Sequence, residues 1–291
     1  MKKRTYTLTD YNNTLAVNFG RVGYVVSSID LGSIEANLST YAGAGQYGQT
    51  VTARSYGTRD VTIEGHIMAD DAESMKTRKA VLQKITVPTT DFWLVVDGKY
   101  RIQLSANSTI EYNKNWYRNN EYLTSFTIDA VAYSPFFQTI EPVAAKVTGW
   151  IKDFHFPYTN ESGKTFTFGH NSESKIIDLK NISEVETGMT ISFKALGGTI
   201  INPYLQDVES NKKLQVNTTL ATGQELVVNT AYGKKSVTNV TLGTNLLYSF
   251  DLSSDWLQMP IGTSSFKYGF DDTSTGTLEC NVSYTPLLIE V

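Results

Sequence analysis

The sequence predicts a mainly β protein, with a β-rich N-terminal part that carries one helix and an antiparallel β-sandwich after it. Three observations predict this. The composition is rich in Thr, Ser, Asn, Gly and Tyr, with few segments of helical period. Apolar and polar residues alternate at period two in several stretches, the longest spanning residues 122–133. Beyond residue 149, short alternating runs recur between turn signals at steady spacing, as a sandwich requires.

In chain order, residues 22–31 are strand-like and end at Gly32. Residues 41–48, YAGAGQYG, form a Gly-rich turn. They match G-x-G-x-x-G through Gly43, Gly45 and Gly48, but a dinucleotide site needs a buried strand before the motif and a helix after it. The preceding residues are mixed and the following ones look extended, so the turn reading holds. Residues 59–67 alternate cleanly, with Val61, Ile63, Gly65 and Ile67 on one side and Asp60, Thr62, Glu64 and His66 on the other. His66 is therefore a solvent- or interface-facing strand residue rather than a catalyst.

The single helix is placed at residues 70–85, with Asp70 as its cap and Glu73 completing a capping box. Met75, Arg78, Lys79, Leu82 and Ile85 give it one packing stripe, and Pro88 ends it. Asp70 and Asp71 are read as cap and dipole partners rather than as metal ligands. Asp97-Gly98, between runs at residues 92–96 and 99–104, signals a type I′ hairpin. In the strand 122–133, Tyr122, Thr124, Phe126, Ile128, Ala130 and Ala132 share a face. Pro135 cannot donate to a ladder, so the sheet stops there and a seam between two domains, 1–138 and 139–291, is expected. In the second half, strands are predicted at residues 165–168, 175–179, 189–195, 213–216, 225–228, 266–270 and 278–284.

The composition also excludes function classes. A net charge of −4 argues against a nucleic-acid-binding surface. Lys2, Lys3 and Arg4 are followed by polar residues rather than an apolar core, so no signal peptide is read, and no run is long enough to cross a membrane. Cys280 is the sole cysteine and falls on the apolar side of a strand, which makes it a buried, inert thiol. His66, His155 and His170 lack metal-ligand spacing, and no G-x-S-x-G, Cys-His pair or P-loop occurs. No catalytic residue, cofactor site or metal site is assigned.

The order of features resembles the distal tail protein family of siphophages. In the first half the resemblance rests on the Gly loop 43–48, the strand RDVTIEGHI at 59–67, the helix with Arg78 and Leu82, the Asp97-Gly98 hairpin and the strand closing on AYSPFF. In the second half it rests on Ile201-Asn202-Pro203-Tyr204, Gly223-Gln224-Glu225-Leu226, residues 248–256 and a last strand ending in Tyr284-Thr285-Pro286. The resemblance implies a first domain that builds a hexameric ring continuing the tail tube. It implies a galectin-like sandwich outside that ring. The implied partners are other copies of the chain, the major tail tube protein, a tail-associated lysin or tail fibre protein, and in some phages receptor-binding proteins. The implied location is the distal end of the virion tail, after synthesis in the host cytoplasm.

Candidates for the ring contact are Tyr47, Arg54, Arg59, His66 and Tyr117. Trp150 and Trp256 are the residues that could stack on a glycan, but His170-Asn171-Ser172 departs from the His-x-Asn-Pro-Arg pattern of galectins, which argues against sugar binding. The rival readings are a carbohydrate-binding adhesin, tested by glycan binding of the second domain, and a cell-wall hydrolase, tested by activity on peptidoglycan.

Overall fold

In a computed structural model of the chain, residues 4–146, 150–151, 170–171 and 176–291 are described. They divide into two compact units. The first comprises Met1–Ile140 with Leu288–Val291, and the second comprises Glu141–Leu287. The mainly β class holds in both.

The first unit opens with β1 (Tyr6–Asp10), β2 (Ala16–Asn18), β3 (Tyr24–Asp30), β4 (Ala36–Tyr41), β5 (Thr50–Tyr56) and β6 (Arg59–Met68). Helix α1 (Ala72–Ile85) follows, then β7 (Phe92–Val96), β8 (Tyr100–Ala106), β9 (Glu111–Tyr112), β10 (Leu123–Ala132) and β11 (Phe137–Thr139). The main sheet runs β2-β1-β7-β8-β10-β6-β3, with β9 against β10 and β11 against β8. Its inward residues obey the period of two: Val61, Ile63, Gly65 and Ile67 of β6 and Thr124, Phe126, Ile128, Ala130 and Ala132 of β10 are all buried. Helix α1 adds Met75, Leu82 and Ile85 to the same core. Its N-cap is Asp71, whose carboxylate accepts from the Ser74 N–H at 2.8 Å, and not the neighbouring Asp70. Either aspartate suits the position chemically; the chain path out of β6 decides which one is extended at the helix entrance.

At the β7–β8 turn, Asp97 (φ 52°) and Gly98 (φ 64°) are both left-handed, and Lys99 N–H donates to Val96 O at 3.1 Å. Asp97 also accepts from Thr5 N–H at 2.8 Å, tying the turn to the start of β1. After Pro135 the chain does not leave the unit. Phe137 is fully buried in its core, and β11 pairs with β8. The last strand, Leu287–Leu288, pairs with β11, and Leu288 and Val291 pack on the first core. The second half of the chain is therefore not one uninterrupted domain to its end: its last four residues belong to the first unit.

The second unit is a sandwich. Two sheets contribute buried side chains to one core. The larger contains Thr187–Gly197, Glu225–Asn229 and Thr277–Tyr284; the smaller contains Ile176–Asn181, Tyr204–Asp207 and Gly262–Gly269. Met189, Ile191, Phe193, Val228, Cys280 and Val282 from the first meet Leu179, Leu205, Leu214 and Phe266 from the second. Burial pushes the Cys280 thiol well above its ordinary range, which makes it unreactive. Short strands at Val143–Lys146, Ser236–Asn239, Thr244–Asn245 and Gln258–Met259 complete the larger sheet. The strand expected at 165–168, and His155, lie outside the described residues.

Candidate functional site

Strands β4 and β5 form a two-stranded hairpin of their own, and every residue in both is exposed. The Gly-rich turn is the tip of this arm, with Gly45 (φ 80°) and Gly48 (φ 79°) in the left-handed region. The two strands, of 6 and 7 residues, carry one charge, Arg54. Leu38, Tyr41, Val51 and Tyr56 are exposed along them, and Tyr47 stands free at the tip. An isolated two-stranded hairpin is marginal in water, and an uncharged arm with open edges is a template for pairing. At its foot Gly57 N–H donates to Glu35 O at 2.7 Å, and Tyr56 packs edge-on against Phe136 at 5.0 Å.

The outward face of β3, β6, β9 and β10 is the second surface. Register places Asp30, Thr62 and Asp129 in one row, Ser28, Glu64, Thr127 and Glu111 in the next, and Val25, His66 and Ser125 in the third. Asp60 extends it beside Val131. Hydroxyls bridge the rows: Thr62 Oγ1 donates to Asp129 at 2.9 Å and Ser28 Oγ to Glu64 at 3.0 Å. His66 lies between Ser27 Oγ at 3.0 Å and Ser125 Oγ at 2.9 Å, so it belongs to this lattice. The face has five carboxylates, and no Lys or Arg of these strands points outward.

Arg59 is placed differently from the sequence expectation. It is 3% exposed, with its guanidinium over Phe137 and Nη2 donating to Ile289 O at 2.7 Å. It begins β6 on the inward side of the alternation, so it is not surface offered to a neighbour. Burial lowers its pKa, and Glu290 opposes that shift. Tyr117 lies in a 3₁₀ turn, Trp116–Arg118, beside the more exposed Trp116, which sequence reading passed over. Arg54 and Tyr47 are on the arm, and Tyr117 is not grouped with them by any contact.

In the second unit Trp256 stacks on Phe250 (4.2 Å, planes 6° apart) and carries the Lys235 ammonium 5.2 Å from its centroid. It packs against the core, so its ring is engaged within the chain rather than open as a sugar platform. Trp150 falls in strand Trp150–Ile151, and its side chain lies outside the described residues. Among the described residues no group of three or more His, Cys, Asp or Glu is placed to hold a metal, and no helix is long and apolar enough to cross a membrane.

Comparison with known proteins follows the same division. A family model described as a phage tail protein RIFT-related domain matches residues 3–128. Another, described as the C-terminal domain of a siphovirus-type tail component, matches residues 182–287. The fold is similar to the crystal structure of SPP1 Dit (gp 19.1), described as a paradigm of hub adsorption apparatus in phages infecting Gram-positive hosts. That match has a TM-score of 0.67 and 12% identity, covering 97% of this chain and 98% of that one. It is also similar to a chain of the phage P2 baseplate in its activated conformation with Ca, at TM-score 0.57 and 13% identity, over 99% and 100% of the two chains. No curated protein matches the sequence.

Proposed function

The chain belongs to the siphophage distal tail protein family, and we propose that six copies close into a hub ring at the distal end of a phage tail. The observation that carries this reading is the arm β4–β5: two strands wholly exposed, nearly uncharged and open at both edges. Its edges are satisfied when neighbouring copies pair head to tail, and such contacts form a ring when the rotation closes. The acidic outward face of β3, β6 and β10 supports turning that face to the bore. A polyanion moving past Asp30, Asp60, Glu64, Glu111 and Asp129 faces five carboxylates, and the strands that carry them turn no Lys or Arg toward it.

In this arrangement the second unit hangs outside, where it is available to receptor-binding proteins. The ring faces take the major tail tube protein on one side and a tail-associated lysin or tail fibre protein on the other. The chain acts at the virion tail tip as a structural component and not as an enzyme. Arg54, Tyr47 and Tyr117 remain the surface candidates for ring contacts, with Leu38, Tyr41 and Val51 added.

The test is electron microscopy of the full chain at high concentration, with the double variant Leu38→Asp, Val51→Asp as control. Closed rings with the first units innermost are expected, and their loss in the variant with an unchanged melt. Rings with the second units lining the bore, or rings that survive both substitutions, would overturn the reading.

A further inference from the structure

We infer that the C-terminal residues Leu288–Val291 are a strap that holds the foot of the arm β4–β5. The first link is Arg59, buried at the start of β6, whose Nη2 donates to Ile289 O at 2.7 Å. Its Nε is also buried and has no hydrogen-bond partner, so Ile289 and the charge of Glu290 are what offset its desolvation. The second link is Phe137, which lies under the guanidinium at 5.3 Å and sits in the strand paired with Leu287–Leu288. The third is Phe136, next in the chain, which takes the edge of Tyr56 at 5.0 Å where the arm begins. Arg59 is itself three residues beyond Tyr56, past the Gly57–Glu35 hydrogen bond that closes the foot.

The arm has no buried residue to hold it, so its foot is its anchorage. The strap completes that anchorage after the chain has passed through the whole second unit. A pull on the end of the second unit therefore acts, through the covalent step from residue 287 to 288, on the element that the ring reading assigns to assembly. The strap depends on that reading only for this consequence; its own test is made on the isolated chain, so an absence of rings does not affect it.

The test is limited trypsin digestion of the full chain, with cleavage after Arg54 followed by mass spectrometry. Three variants are compared with the parent: a chain ending at Leu287, Arg59→Met, and Glu290→Gln. Cleavage after Arg54 is expected to rise about fivefold or more in the first two, because cleavage follows the population of the open arm. Cleavage after Arg101, within β8, is expected to stay at the parent rate. Glu290→Gln leaves the packing in place and serves if the other variants fold poorly; a rise of about twofold at Arg54 alone is expected. Unchanged cleavage after Arg54 in every folded variant would overturn the strap. So would an equal rise at Arg54 and Arg101, which would make the tail ordinary core packing.

Discussion

Gly98 is the clearest case of a residue whose identity follows from backbone geometry. A Cβ there would meet nothing within 4 Å, so the φ of 64° is the whole objection to a side chain. Gly98→Val is expected to cost roughly 1–2 kcal/mol through left-handed strain on a branched residue. A chemical denaturation series checks this, and equal midpoints would mean that the turn re-forms as another type. Tyr112 gives a pH-dependent case. Burial pushes its phenol up to about 12 from 10.0. The folded state thus favours the protonated form, and the associated stability is full below pH 10 and lost as pH rises through about 12. Tyr112→Phe should therefore melt at a higher temperature than the parent at pH 11, with a smaller difference at pH 7. A parent that holds its melting temperature from pH 9 to 12 would contradict this.

At the scale of elements, β6 is fixed by what faces it on both sides. Gly65 pairs with Phe126, and an added Cβ would lie 2.7 Å from the Phe126 ring and 2.5 Å from Val25 O. Gly65→Ala forces either the ring or the β3 backbone to move, at an expected cost of about 1–3 kcal/mol. Near-neutral stability in a denaturant titration would show that β3, an edge strand with a bulge between Val26 and Ser28, shifts freely. The arm β4–β5 follows the opposite logic. Apart from Tyr56, which meets Phe136 at the foot, its residues are exposed, so polar substitutions at Leu38 and Val51 are expected to leave the melt alone.

At the scale of the whole molecule, connectivity sets what can be cut. A fragment of residues 1–138 leaves Arg59 without Ile289 and Glu290 and the first core without Leu288 and Val291. It is expected to melt below a chain in which residues 1–140 are joined by a short linker to 288–291. Residues 141–287 should melt cooperatively by themselves, because their core draws on both sheets of the sandwich. Thermal scans of the three chains test this; a fragment 1–138 as stable as the linked chain would show that the returning residues add nothing.

The sequence by itself determined the class and most of the elements. Period-two runs at β6 and β10, the Asp97-Gly98 turn and the stripe of α1 are local signals, and local sterics and side-chain direction are enough to produce them. The alternation in β6 also assigned Asp60, Glu64 and His66 to the outward face, and the ordered set of weak motifs was enough to point to the family. Tertiary structure decided what local signals cannot carry. Asp30, Glu64, Glu111 and Asp129 form one face only because four strands distant in sequence pair in one register. Arg59 reads as a polar strand residue until its partner, 230 residues away, closes over it. The arm reads as indifferent sequence because nothing in its own chain buries either of its faces, so burial imposes no period on it.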